Sequence, residues 1–209
     1  MNKIWDVLEE TKNMISTNIG KRITLEEMNS VWNQIAQQVK KCLEQEKSII
    51  IKEVGTFTLQ KWKLDAGIQH EVNFFQPMFF LSKTLTEQYD LHQRKEYATD
   101  SMPVTVLNLC KVMKTCNYKK ETVLLCLDEI VQCLRYMIAD GKDIKLEFPG
   151  LGELKIINTV ATFEFYQDMK PDEKVPEKPC HRYQIAMKPY IKKVTCPCAV
   201  HDSAYFENY

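Results

Sequence analysis

Glycine is scarce in this 209-residue chain, with six in all, and the scarcity removes a class of chemistry. A phosphate-cradling loop needs clustered glycines so that backbone N–H groups can approach an anion, and the chain has no such loop. It also has no Gly-x-Ser-x-Gly elbow and no His-Glu-x-x-His helix, and its four histidines, His70, His92, His181 and His201, are scattered. No catalytic or cofactor-binding residue is assigned, and the chain is expected not to be an enzyme. Long hydrophobic runs are missing too: nothing approaches the roughly 20 apolar residues that a membrane-spanning helix requires. The start, Met1-Asn2-Lys3-Ile4-Trp5-Asp6 with Glu9 and Glu10 close behind, puts acids where a signal peptide needs its apolar stretch. A soluble, intracellular protein without a membrane partner is the expectation.

An excess of one charge is absent as well. Lys plus Arg total 28 and Asp plus Glu total 28, for a net charge of zero. The balance is also local: up to residue 95 there are 13 basic and 12 acidic side chains, and beyond it 15 and 16. Neither half has the basic surplus expected of a nucleic-acid-binding domain. Cysteine is not scarce, with eight, but a chain this long and not secreted has no need of a disulfide scaffold. Cys42, Cys126 and Cys133 fall within helix patterns, where a reduced thiol acts as a small apolar side chain. Cys180-His181 and Cys196-x-Cys198-x-x-His201 bring soft ligands near one another. That spacing lacks paired Cys-x-x-Cys knuckles, so free thiols are expected rather than zinc, and no metal residue is assigned.

What the chain does contain is a unit that occurs twice. Met28, Val31, Ile35, Val39, Cys42 and Leu43 each stand 95 positions before Val123, Cys126, Ile130, Leu134, Met137 and Ile138. Each set puts one apolar stripe on one helix face. An apolar strand follows each helix, Ser48-Ile49-Ile50-Ile51 in one copy and Asp143-Ile144-Lys145-Leu146-Glu147-Phe148 in the other. The glycines after those strands, Gly55 and Gly152, stand 97 apart, so the second strand is two residues longer. Two residues is one strand period, and every side chain keeps its face. A repeat of about domain size implies two small domains in tandem.

Local signals place the elements. A first helix is expected over residues 3–15, ended near Gly20, and a second from the capping box Thr24-Leu25-Glu26-Glu27 to about Glu46. Strands are expected over 48–53, 56–63 and 70–75, then Pro77-Met78-Phe79-Phe80 and a helix to about Leu91. Residues 93–101 read as a polar linker. The second copy repeats the order, with helices over 104–114 and 121–139 and strands over 143–148, 152–158, 162–166 and 182–187. Residues 168–178 read as a loop rich in proline and mixed charge, and 195–209 as a short tail.

Two helices, three strands and a helix, with Glu53-Val54-Gly55-Thr56-Phe57 and Gly150-Leu151-Gly152-Glu153-Leu154 at the strand turn, resemble the HU/IHF family of histone-like DNA-bending proteins. Pro77-Met78-Phe79 and Pro189-Tyr190-Ile191-Lys192 resemble that family's later Pro-x-Phe-Lys segment. More closely, Ile23-Thr24-Leu25-Glu26, Val31-Trp32 and Val54-Gly55-Thr56-Phe57 resemble the tandem HU-like region of the eukaryotic coiled-coil domain-containing protein 81 family. The implied fold is α+β: HU-like domain 1 over 1–95, a linker over 96–103, HU-like domain 2 over 104–195 and a tail over 196–209. The fold-motif residues are Gly55, Thr56, Phe57, Pro77, Phe79, Gly150, Gly152 and Pro189. An HU protomer is half a core, so two fused copies are expected to pair as an intramolecular pseudo-dimer.

The departures from the HU pattern bear on function. HU inserts a long basic β-arm from each protomer into the minor groove. The matching stretch of copy 1, residues 61–71, has no proline and no arginine and carries two acids, Asp65 and Glu71. The matching stretch of copy 2, residues 159–181, is long but acidic, and phosphate repels an acidic arm. Trp62, between Lys61 and Lys63, either anchors a partner from an exposed position or packs on its own sheet. The expectation is a non-catalytic protein-binding scaffold with Lys61, Trp62 and Lys63 as candidate partner-binding residues. The family resemblance implies a ciliary, axonemal or centrosomal setting with microtubule-associated partners. An architectural DNA-binding protein of the HU/IHF type is the alternative.

Overall fold

Each long helix begins and ends where its local chemistry dictates. In the computed structural model, which describes residues 4–14, 23–65, 71–94 and 102–169, helix α2 runs from Leu25 to Glu44 after the shorter α1, Val7–Met14. Thr24 Oγ1 accepts the Glu27 N–H at 3.2 Å and Glu27 Oε2 accepts the Thr24 N–H at 2.8 Å, so two amides without helical partners are satisfied reciprocally. The face of Met28, Val31, Trp32, Ile35, Ala36, Val39 and Leu43 is buried. Its counterpart α5, Lys120–Ala139, lacks a side-chain cap at Lys119 but buries a broader stripe from Val123 to Met137. α2 and α5 pack against each other.

The two helices feed matching hairpins. In the first repeat β2 is Ser48–Ile51, β3 is Gly55–Asp65 and β4 is Glu71–Leu81, followed by α3, Lys83–Tyr89. In the second repeat β7 is Asp143–Phe148, β8 is Gly152–Ile157 and β9 is Val160–Phe165, followed by a 3-10 turn, Gln167–Met169. Antiparallel pairs set Ile51 opposite Gly55 and Phe148 opposite Gly152. The turn between them is the same in both repeats. Val54 N–H donates to Ile51 at 3.1 Å and Leu151 N–H to Phe148 at 3.0 Å. Each turn also needs one left-handed residue, Glu53 (φ 68) in the first and Gly150 (φ 74) in the second. The next link matches too, with Ser82 N–H on Val54 and Tyr166 N–H on Leu151.

The chain before each first helix departs from the expected secondary structure. Residues 3–15 and 104–114 read as helices, but each opens as a three-residue strand: β1, Ile4–Asp6, and β6, Val104–Val106. The helices start later, at α1 and at α4, Leu109–Cys116, because Asp6 and Asn108 are capping residues. Asp6 Oδ1 accepts the Leu8 N–H at 2.8 Å and Asn108 Oδ1 the Lys111 N–H at 3.3 Å. Val104-Thr105-Val106 is also β-branched throughout, which favours a strand.

Those strands cross over. β1 lies parallel to β7 of the second repeat, with Ile4 opposite Asp143. β6 lies parallel to β2 of the first repeat, with Val104 opposite Ser48. Ser48 and Asp143 are the same repeat position, so the exchange is reciprocal and in one register. The result is a five-stranded sheet, β1-β7-β8-β9-β5, and a four-stranded sheet, β4-β3-β2-β6, where β5 is His92–Gln93. Gln93, expected to begin the linker, instead pairs with Ala161 on β9, and its amide clamps β4 through Phe79 O (2.6 Å) and Leu81 N–H (2.8 Å). The described residues of both repeats, up to Trp62 and from Phe74 onward, belong to one compact unit. No helix of the described residues is long and apolar enough to cross a membrane.

Candidate interaction faces

The repeats meet on aromatic rings, and the fold-motif glycines let those rings pack closely within each repeat. Trp32 of α2 is buried and donates its Nε1–H to the Glu147 carbonyl of β7 at 2.7 Å, with its ring 4.8 Å from Phe148. Phe57 of β3 stands 5.2 Å from both Phe148 and Phe163 and 4.7 Å from Phe79, and Phe79 stands 5.0 Å from Phe163. Gly55 lets that cluster close: a side chain there would meet the Phe79 ring and the Phe80 carbonyl. Gly152 is crowded in the same way by the Phe163 ring and the Glu164 carbonyl. Phe163 therefore fills in the second repeat the place that Phe79 fills in the first. The Pro-x-Phe-Lys match at Pro189 lies outside the described residues. Thr56 is half-buried on β3, Pro77 is buried on β4, and an ion pair of 3.2 Å joins Glu53 at the first turn to Arg135 on α5.

The outer face of the five-stranded sheet is charged and self-neutralised. Lys145 Nζ lies 2.8 Å from Glu153 Oε1, and Lys155 Nζ lies 2.6 Å from Glu164 and 3.7 Å from Glu153. The Lys145 hydrogen bond, with a further contribution from Lys155, holds the Glu153 carboxyl below the usual carboxylate range. The hydrogen bonds that Lys145 and Lys155 donate to Glu153 and Glu164 hold both lysines above the ordinary lysine range. Burial, reinforced by its hydrogen bond to Glu147, pushes the Tyr166 hydroxyl up to about 12. The sign follows for Glu153. A lowered carboxyl contributes stability above its unfolded pKa of about 4.3, and the contribution is lost as pH falls through the lower folded value. Glu153→Gln is thus expected to lose up to about 1 kcal/mol at pH 7, the range of surface ion pairs. Urea midpoints at pH 7 and at successively lower pH check it, and the difference from the unaltered chain narrows as pH falls through the lowered folded value.

The candidate partner-binding residues sit on β3. Lys61 is half-buried, with Nζ 5.8 Å from the Phe75 ring centroid. Trp62 and Lys63 are strand residues whose side chains lie outside the described features. The arm stretch of the second repeat, residues 159–181, takes in the strand expected over 162–166: β8 ends at Ile157 and β9 runs from Val160 to Phe165. Asn158 (φ 49) and Thr159 (φ 64) make a two-residue hairpin turn of the left-handed kind that asparagine tolerates. The remainder of that stretch beyond Met169, with strand 182–187 and Cys180, His181, Cys196, Cys198 and His201, lies outside the described residues.

The family model for CCDC81 eukaryotic HU domain 1 matches residues 4–93, and that for CCDC81 eukaryotic HU domain 2 matches residues 103–170. The chain belongs to the CCDC81 HU-domain family.

Its two CCDC81 HU domains stand in tandem, in the order in which the repeat presents them. Within them, sequence reasoning missed the exchanged strands, the Gln93 clamp and the Lys145-Glu153-Lys155-Glu164 ladder. The ladder left a signal in Lys145-x-Glu147 and Glu153-x-Lys155, where charge alternates at the strand period, but pairing it needs the register. The described thiols Cys42, Cys110, Cys116, Cys126 and Cys133 are free. Burial raises Cys126 to about 12 and also raises Cys133, so neither is a ready nucleophile. Among the described residues no group of three or more His, Cys, Asp or Glu side chains is placed to hold a metal ion.

Proposed function

We propose that this pair of CCDC81 HU domains is a non-catalytic scaffold that binds other proteins, its two domains joined as an intramolecular pseudo-dimer. The reciprocal placement of β1 and β6 supports the pairing. The position of Lys155 supports protein rather than DNA as the partner, because it lies between Glu153 and Glu164 instead of facing outward unopposed. DNA affinity comes mainly from lysines and arginines that neutralise phosphate, and a lysine already held by two carboxylates contributes little of it. The closed turn at Asn158-Thr159 adds to this, since a two-residue hairpin has no arm to lay in a minor groove. The cellular setting rests on the family resemblance: a structural component of a cilium's axoneme or of a centrosome, in the cytoplasm and associated with microtubules.

Fluorescence anisotropy of the full chain against labelled linear and nicked duplex DNA, at low and physiological salt, tests this reading. The expected result is no saturable binding at tens of micromolar protein, even at low salt. Saturable binding that weakens steeply with salt would instead establish the architectural DNA-binding alternative.

A further inference from the structure

The four-stranded sheet ends on β6, whose outer side pairs with no strand among the described residues. Ser48 N–H donates to the Pro103 carbonyl and Leu107 N–H to the Ile50 carbonyl, each at 2.9 Å. With Thr105 opposite Ile49, the odd-numbered backbone groups of β6 face β2, and those of Val104 and Val106 face outward. The same two valines are 62% and 67% exposed, the highest values for large apolar side chains among the described residues. Thr105 is occupied inward, its Oγ1 donating to the Ser48 carbonyl at 2.9 Å. The strand carries no charge. Edge strands of this kind are usually guarded by lysine, a bulge or a covering element, and none of these occurs within Val104–Val106. β1, the matching strand at an edge of the other sheet, ends on Asp6.

We propose that β6 pairs antiparallel with β6 of a second copy of this chain, about a two-fold axis through Thr105. Two four-stranded sheets then become one sheet of eight. The strand itself argues for this occupant. Val-Thr-Val reads the same in both directions, so Val104 falls opposite Val106 of the partner subunit and Val106 opposite the partner's Val104. In that register each valine pair exchanges both backbone hydrogen bonds, and every outward N–H and C=O of the two valines is satisfied. The paired side chains are β-branched and share one sheet face, an arrangement favourable across strands. A contact this short supports only weak, reversible self-association, with a dissociation constant on the order of 100 µM.

Sedimentation velocity of the full chain from about 5 to about 500 µM reads the association. The weight-average coefficient is expected to rise toward that of a dimer, and a monomer across the whole range overturns the proposal. Val104→Lys together with Val106→Lys places like charges opposite each other and is expected to weaken the dimer by roughly tenfold or more, with an unchanged far-UV spectrum. A dimer that survives the double substitution lies elsewhere and also overturns the proposal. Hydrogen exchange gives a separate readout. The Val104 and Val106 amides gain protection as concentration rises, whereas the Thr105 amide, which faces β2, is protected equally at every concentration.

Discussion

Replacing Trp32 with alanine is expected to lower the free energy of unfolding by about 3–5 kcal/mol, the range for deleting a large buried aromatic side chain. Trp32 is 1% exposed and packs its ring against Phe148 of the other repeat. Removing it also strips the Glu147 carbonyl of its indole donor, at 2.7 Å, inside a region water does not reach easily. Because the contact spans the two repeats, both are expected to lose structure in one transition. Trp32→Phe separates the terms: it keeps most of the apolar surface and loses the hydrogen bond, for roughly 1–2 kcal/mol. Urea denaturation followed by far-UV circular dichroism measures both. A loss below about 1 kcal/mol for the alanine variant would mean that the ring is not at the junction of the repeats.

Gly152→Ala is expected to be nearly as severe and Gly150→Ala mild, although the two glycines are neighbours in one turn. A methyl group at Gly152 would lie 2.8 Å from both the Phe163 ring and the Phe165 Cα and closer still to the Glu164 carbonyl. Two of those obstacles are backbone on the adjacent strand, so relief requires β8 and β9 to separate, at a cost of about 3 kcal/mol or more. At Gly150 nothing lies within 4 Å and the difficulty is only its positive φ of 74 degrees, worth about 1 kcal/mol. The first repeat shows that the turn admits a side chain there, since Glu53 holds φ 68. Thermal unfolding separates them, with Tm falling by roughly 8 °C or more for Gly152→Ala and by about 3 °C for Gly150→Ala. Equal losses would refute the close-approach explanation.

Much of the architecture was legible because it is written in local periodicity. The stripes of α2 and α5, the capping box at Thr24 and Glu27, and the glycine at each strand turn, Gly55 and Gly152, are short-range signals, and the structure follows them. β1 and β6 were not legible for a physical reason. Each is three residues long and is stabilised by pairing with a strand of the other repeat, so the β-branched run Val104-Thr105-Val106 is too short to mark a strand without that partner. In the second hairpin the strands expected over 152–158 and 162–166 are joined sooner than their bounds implied, because left-handed backbone at Asn158 and Thr159 turns the chain at once. That turn brings the Phe163 ring to Gly152.

Each repeat borrows its partner's first strand, and this dependence can be tested by separating the repeats. Residues 1–101 and 102–170 would be prepared as two polypeptides and examined by heteronuclear NMR, alone and mixed. Strand exchange predicts that residues 102–170 alone give the collapsed spectrum of an unfolded chain, because β7 lacks β1 and Phe148 lacks Trp32. Mixing is then expected to restore a dispersed spectrum for both. A dispersed spectrum from residues 102–170 alone, as a monomer, would contradict it.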